Sequence, residues 1–425
     1  MWWQKLTQIF KIKELRNKIL FVLGILVIFR LAANIPIPGI DAENLRTFFE
    51  GNQLFGLLNL FTGGAMRNLS IAMLGVSPYI TASIIMQLLT MIFPKLEAMY
   101  KEEGEAGRQK FNQWSRILTV PLAMLQGYGM IMLFKSQQIF SELSLFQMAT
   151  TISVITAGAV FLMWLGELIS EKGIGNGVSL LIFAGIVASF PNSLRQILVS
   201  WNSADIPVYL AFIFIALVVI VGVVVITEGR RNIPVSYAKH IRGNRIYGGS
   251  STFLPMNVNP AGVMPIIFAL SFMLMPGMLG SFLSNVSISW MAAVARFLNN
   301  IFSTNQVFYS VIYFLLVVLF TYFYTAVTFD PKNIANNLQK SGGFVPGIRP
   351  GQPTKDFLNF ILNRVLLVGA IFLGLIAIAP NVVQGLTGIT AFQIGGTSIL
   401  IVVSVVLETI RQIEAQLTMR EYEGF

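Results

Sequence analysis

The sequence contains no cysteine and a single histidine, and only 11% of its 425 residues are Asp, Glu, Lys or Arg. Without cysteine there is no disulfide framework, no thiolate metal site and no thiol nucleophile. The histidine, His240, stands among polar residues and lacks the neighbouring ligands or acid–base partners that metal binding or catalysis needs, so it reads as a solvated loop residue. A soluble domain carries about a quarter of its residues as charges, and so few charges could not coat a globule of this size. What is abundant instead is apolar: 55% hydrophobic residues and a mean hydropathy of +0.71 make lipid the expected outer solvent. A Walker-type phosphate loop is also missing, so energy from nucleotide hydrolysis would have to come from another protein. Gly173-Ile174-Gly175-Asn176-Gly177 is glycine-rich, but it opens a hydrophobic segment with no strand before it. It reads as a tight turn with close helix packing.

A membrane-spanning helix needs ~20 mainly apolar residues. Ten segments satisfy that pattern, near 19–33, 74–93, 115–134, 149–169, 177–190, 208–227, 261–283, 307–327, 361–380 and 395–413. The fifth is short, and the second and seventh contain Pro78, Pro265 and Pro276. Such interruptions require neighbouring protein or water to satisfy the freed backbone groups, which points to a cavity along those helices. Of the 29 Lys and Arg residues, only Arg30, Arg46, Arg67, Lys135, Arg195 and Arg296 fall on one side of this arrangement. Positive residues stay on the cytoplasmic side, so both termini are expected there, a parity that ten spans fit.

The start of the chain is not a cleavable signal peptide. Residues 1–18 place Trp2, Trp3, Leu6, Ile9, Phe10 and Leu15 near one helical face with lysines between, which suits an interfacial helix or an amphipathic arm docking on a partner. Two long loops lie on the cytoplasmic side, residues 228–260 and 329–360. The first alternates through Ile233, Val235 and Tyr237 and turns at Arg242-Gly243-Asn244-Arg245, the pattern of a protruding hairpin. Both carry basic tips, suited to lipid headgroups or to docking of a large anionic or acidic partner. The spans divide into two sets of five, 19–190 and 208–414, joined by a hinge at 191–207 and followed by a tail at 415–425. An odd number per half turns the second upside down relative to the first, as in inverted-repeat membrane proteins.

Leu57-Leu58-Asn59-Leu60-Phe61-Thr62-Gly63-Gly64-Ala65-Met66-Arg67 is apolar but too short to span. It must be buried in protein, either as a re-entrant segment closing a cavity or packed against outer helix ends. Val76 and Ile80, and likewise Val178 and Ile182, share one helical face at a spacing of four. Alone, such pairs read as core or lipid-facing residues. An ion-coupled small-molecule transporter should show a charged or polar site at mid-membrane, whereas Glu167, Glu171 and Glu408 lie toward the cytoplasmic ends. An intramembrane enzyme should show a nucleophile–base pair or metal ligands, and none is visible. No cofactor is expected.

Pro36-Ile37-Pro38-Gly39-Ile40-Asp41, Thr62-Gly63-Gly64-Ala65, Pro78-Tyr79-Ile80-Thr81-Ala82-Ser83-Ile84-Ile85, the turn at 173–177, Phe344-Val345-Pro346-Gly347-Ile348-Arg349-Pro350-Gly351 and Gly395-Gly396-Thr397-Ser398 occur in this order along nearly the whole chain. Together they resemble the SecY family of protein-translocation channels. The resemblance implies an all-α polytopic membrane protein, ten transmembrane helices in two inverted five-helix halves around an hourglass pore. It implies a pore ring at Val76, Ile80, Val178, Ile182, Ile267 and Ile401, where many relatives carry mostly isoleucine. It implies a plug at 57–67 and a lateral gate between the second and third spans and the seventh and eighth, faced by Gln87 and Thr90. Docking surfaces for the ribosome, including its RNA, and for the motor ATPase SecA would include Lys239, Arg242, Arg245 and Arg349. The family also uses SecE and SecG subunits, and its clients are signal sequences and secretory or membrane chains in the bacterial inner membrane. This chain itself would catalyse no bond change.

Overall fold

The computed structural model describes residues 11–37, 62, 64–66, 68–136, 144–199, 206–237, 239–242, 245–248, 251–283, 290–291, 293–294, 297, 306–387 and 396–423. Its helices are α1 (Lys13–Ala32), α2 (Ser77–Ile92), α3 (Pro94–Lys101), α4 (Gly104–Ser136), α5 (Leu145–Lys172), α6 (Gly177–Val199), α7 (Ile206–Glu228), α8 (Met264–Leu283), α9 (Gln306–Thr328), α10 (Pro331–Lys340), α11 (Gln352–Thr387) and α12 (Gly396–Glu423). The strands are β1 (Arg230–Tyr237), β2 (Lys239–Arg242), β3 (Arg245–Gly248), β4 (Ser251–Asn257) and β5 (Gly343–Phe344).

Every one of the ten predicted spans coincides with a helix. Among the described residues, α4, α5, α7, α9 and α11 are by themselves long and apolar enough to cross a bilayer, and α2 joins them only as a broken span, bent by 112° against α3. That bend falls at Phe93, which precedes Pro94, and proline disfavours helical geometry in the residue before it. Local sequence sets other ends. Ser144 and Gln147 form a reciprocal capping box at the start of α5. Asp330 accepts from the backbone N–H groups of Lys332 and Asn333 at the start of α10.

The prolines of the second and seventh spans need correcting. Pro78 and Pro265 lie in the first turns of α2 and α8, where a missing N–H costs nothing and the fixed φ favours the helix. They begin helices rather than interrupt them, and only Pro276 sits inside one. The segment before α2 is not helical: residues 70–76 make turns, and Pro36 bridges Ser70. Helix α6 continues past Pro191 to Val199, so helix occupies much of the expected hinge. At the other end, α1 begins at Lys13, so residues 13–18 are the base of the first span.

The helices pack as two like sets. In the first, α1 lies against α5 and α6, α2 against α4 and α5, and α5 against α4 and α6. In the second, α7 lies against α11 and α12, α8 against α9, and α11 against α9 and α12. Taking α1, α2, α4, α5 and α6 as counterparts of α7, α8, α9, α11 and α12, the neighbours repeat almost pair for pair. The main contacts between the sets are α8 with α2 and α4 on one seam, and α12 with α6 on the other.

The hairpin expected in the first long loop is present. Strands β2 and β3 pair antiparallel with Arg242 opposite Arg245, and β1 pairs with β4 from Arg230↔Asn257 to Ser236↔Ser251. The second long loop joins it, because β5 adds to β1 at Ser236↔Phe344 and Tyr237↔Gly343. Ile233 and Met256 of the hairpin share a small core with Val345, Leu358 and Leu362. The two loops are therefore one folded unit.

Candidate functional site: an aliphatic constriction between two half-bundles

The six predicted ring residues come together. Val76, Ile80, Ile182, Ile267 and Ile401 are all buried members of one continuous apolar cluster, and Val178 packs against it half-buried. They arrive from four elements: the residue capping α2 and its first turn, the first turns of α6, the start of α8 and the second turn of α12. Two of these helices belong to each set, so the cluster straddles both seams. All six side chains are aliphatic, so at this point the cluster offers carbon surface from helices of both sets.

The segment expected to form a plug is described in part. Residues 57–61, 63 and 67 lie outside the described residues. Thr62, Ala65 and Met66 are buried, and Ala65 belongs to the same cluster as the ring. Met66 joins a second cluster with Ile37, Leu69, Met73, Leu74 and Ile155. Backbone bonds hold the segment: Ser70 N–H donates to Ala65 O (2.9 Å), Ile37 N–H to Leu69 O (2.8 Å) and Ile71 N–H to Ile35 O (3.0 Å). The Thr62 methyl lies over Gly75, where an added Cβ would stand 3.1 Å from it.

Gln87 and Thr90 lie on α2, the helix that meets α8 across the first seam. Thr90 is buried and its hydroxyl donates to Gln87 O at 2.7 Å, while the Gln87 Oε1 is buried without a hydrogen-bond partner. A polar atom left in that state weakens the contact holding it. Lys239, Arg242 and Arg245 sit on β2 and β3, and their side chains lie outside the described residues. Arg349 is exposed at the tip of the second loop, where its carbonyl accepts from the Thr354 hydroxyl at 2.8 Å and neighbouring Val345 and Ile348 anchor the tip in the small core.

Two polar ties were not legible as sites in the sequence. Arg116 of α4 donates to Glu167 of α5 at 2.7 Å, with the carboxylate side chain 17% exposed. The signal was there in outline: Arg116 opens one span and Glu167 ends the next, so antiparallel neighbours bring them level. The second tie is the turn at 173–177. Gly175 has φ +93°, a left-handed conformation that favours glycine, and its N–H donates to Gln412 Oε1 of α12 at 2.7 Å. The turn is otherwise fastened within its own half, by Gly177 N–H to the Ser170 hydroxyl (2.9 Å) and Ser179 N–H to Asn176 Oδ1 (3.2 Å). This is the tight turn with close packing that the glycines imply.

The sequence matches the family model for SecY over residues 70–410. It is 45% identical over 434 residues to the protein translocase subunit SecY of Streptomyces coelicolor, covering 98% of each chain. The fold is similar to that of a solved SecY translocation channel whose plug domain is described as stabilising the closed state, with TM-score 0.63, 18% identity, and 93% of this chain and 91% of that one covered. It is also similar to Sec61 in the canine ribosome–channel complex, with TM-score 0.60, 18% identity and the same coverages. With the family model spanning most of the chain and near-full-length relatives well above chance identity, the chain belongs to the SecY family.

Proposed function

We propose that this chain is the pore subunit of a protein-conducting channel, moving unfolded secretory polypeptides across the bacterial inner membrane and releasing apolar segments sideways into lipid. The observation that carries the reading is the convergence of six aliphatic side chains from both half-bundles on one buried cluster, with Ala65 of the plug segment in that same cluster. Such a ring can yield around a sliding chain and close again by apolar contact, because branched aliphatic side chains re-pack without leaving polar groups unpaired. The α2–α8 seam serves as the lateral gate. Gln87 and Thr90 face it, and an apolar signal sequence partitions through it.

Positive-residue placement orients both termini and the joined loops toward the cytoplasm. There the loop unit, with Lys239, Arg242, Arg245 and Arg349, receives the ribosome and the motor ATPase SecA, which supplies the work. SecE and SecG complete the assembly. Arg349→Glu is expected to lower SecA-driven translocation about tenfold while leaving assembly intact, since a charge reversed at a docking rim acts on partner association. Translocation rate against SecA concentration checks this.

The direct test places a photocrosslinker at Ile182 in membranes containing SecE, SecA, ATP and a stalled secretory precursor. Adducts to the precursor that vanish without ATP or without the signal sequence are expected. An assembled channel giving none at Ile182 or at Ile401 would misplace the pore and reopen the ion-coupled transporter reading.

A further inference from the structure

An ionised carboxylate between membrane helices is costly unless it is paired and hydrogen-bonded. Glu167 of α5 meets both conditions. It accepts from Arg116 Nε of α4 at 2.7 Å, and its side chain is only 17% exposed. A third helix meets it there. The Tyr79 hydroxyl, in the first turn of α2, lies within hydrogen-bonding reach of the Glu167 carboxylate and of Ser83, with the Arg116 charge also in range. One carboxylate therefore serves α2, α4 and α5, which all pack on one another.

The neighbours of these residues form the ring. Tyr79 immediately precedes Ile80 and follows Val76 by three positions. On α5, Gly166 immediately precedes Glu167 and receives the close approach of α6. A Cβ added to Gly177 would overlap the Gly166 carbonyl, and one added to Gly166 would stand 3.5 Å from Val178 Cγ2. Leu165 and Ile169, on either side of Glu167, are buried in the same apolar cluster as the ring. The turn of α5 that carries Glu167 thus meets α2 through a carboxylate and α6 through bare backbone. Each meeting lies at a ring position or one residue from it.

Aliphatic contacts alone do not fix this register, because an apolar cluster re-packs among nearby arrangements at little cost. A charge-assisted hydrogen bond is directional, and a buried partner left without it is penalised. The pair supplies the constraint that the ring residues lack. Helix α2 cannot slide or rotate on α5 without drawing the Tyr79 hydroxyl away from the carboxylate.

We propose that Glu167 is a positioning residue for the constriction: held by Arg116, it seats Tyr79 and so fixes Val76 and Ile80 relative to Val178. The proposal rests on the channel reading above, and the experiment separates the two.

Glu167→Gln and Tyr79→Phe are made singly and together in the full assembly. Resting ion conductance per assembled channel is measured in planar bilayers, beside a variant carrying Ile182→Gly and Ile267→Gly. Glu167→Gln keeps the shape of the side chain and removes its charge. At unchanged assembly it is expected to raise conductance about fivefold, and Tyr79→Phe about twofold, since a slight widening of an apolar neck lowers its barrier steeply. The Glu167→Gln, Tyr79→Phe channel should leak no more than Glu167→Gln alone, because both changes break one chain of contacts. Arg116→Lys, which keeps a cation opposite Glu167, should hold the seal that Arg116→Gln loses. A tight seal in assembled Glu167→Gln, or two effects that multiply as independent sites would, overturns the positioning role when the double-glycine channel leaks. A double-glycine channel that is itself silent sinks the ring reading, and this proposal with it. Should Glu167→Gln fail to assemble, Tyr79→Phe decides alone, since it deletes a single oxygen, and a seal as tight as the parent's overturns the proposal.

Discussion

Replacing Ile182 and Ile267 together by glycine is expected to raise the resting ion conductance of the assembled channel at least about tenfold and to let precursors with defective signal sequences pass. The two residues are 2% and 3% exposed, belong to one apolar cluster and come from opposite half-bundles, so in the proposed ring they stand on different walls. An apolar constriction blocks ions by making a continuous water column unfavourable, and that barrier falls steeply as the neck widens. Removing both side chains opens the neck from two sides at once. Truncating buried aliphatic residues also costs stability, about 2–5 kcal/mol for a single Ile→Ala change. The measurement is therefore single-channel conductance in planar bilayers, normalised to assembled channel, with Ile182→Leu as the control. The leucine variant keeps volume and apolarity and should conduct like the parent. A double-glycine channel that is assembled and silent would remove Ile182 and Ile267 from the ring.

The spans were legible because lipid imposes a length and a composition that any window along the sequence can read. The hairpin at Arg242–Arg245 was legible for a similar reason, since alternation and turn residues are local signals. What the sequence withheld is pairing over distance. Strand β5 is two residues long and has no pattern of its own, yet it joins two loops separated by two membrane helices. Gln412 and Gly175 are 237 positions apart, and nothing in either neighbourhood announces the other. Their meeting depends on the rotation of α12 about its own axis, which the packing of a whole half-bundle decides. The prolines misled in the opposite direction. Pro78 and Pro265 look like interruptions in a hydropathy window, and only the true helix starts at Ser77 and Met264 show them to be in first turns. The six ring residues were placed by resemblance alone, because an aliphatic residue in an aliphatic chain carries no signal of its own.

Gly158→Val is expected to cost the channel its folded first half, seen as rapid proteolysis in membranes and a sharp loss of purified assembly. Gly158 lies in the middle of α5, and a Cβ there would overlap the carbonyl group of Ile71. The obstacle is backbone, so no rotamer change relieves it: either α5 or the 70–76 segment has to move. That segment is fastened on its other side, by Ile71 N–H to Ile35 O and by the bridge between Pro36 and Ser70. It ends at Val76, directly before the first turn of α2, and it packs Met73 and Leu74 into the cluster that also holds Met66 and Leu69. Overpacking a close-packed interior costs about 1–3 kcal/mol where side chains can shift, and a backbone obstacle stands above that range. The smaller Gly158→Ala separates two consequences. Where the segment yields rather than the helix, Ala65 and Val76 are pushed out of register together, and the assembled fraction should leak ions in the manner of the double-glycine ring variant. Proteolysis rate and conductance measured on the same preparations check both, and normal yield with a tight seal in Gly158→Val would show that α5 does not press on the segment that seats the ring.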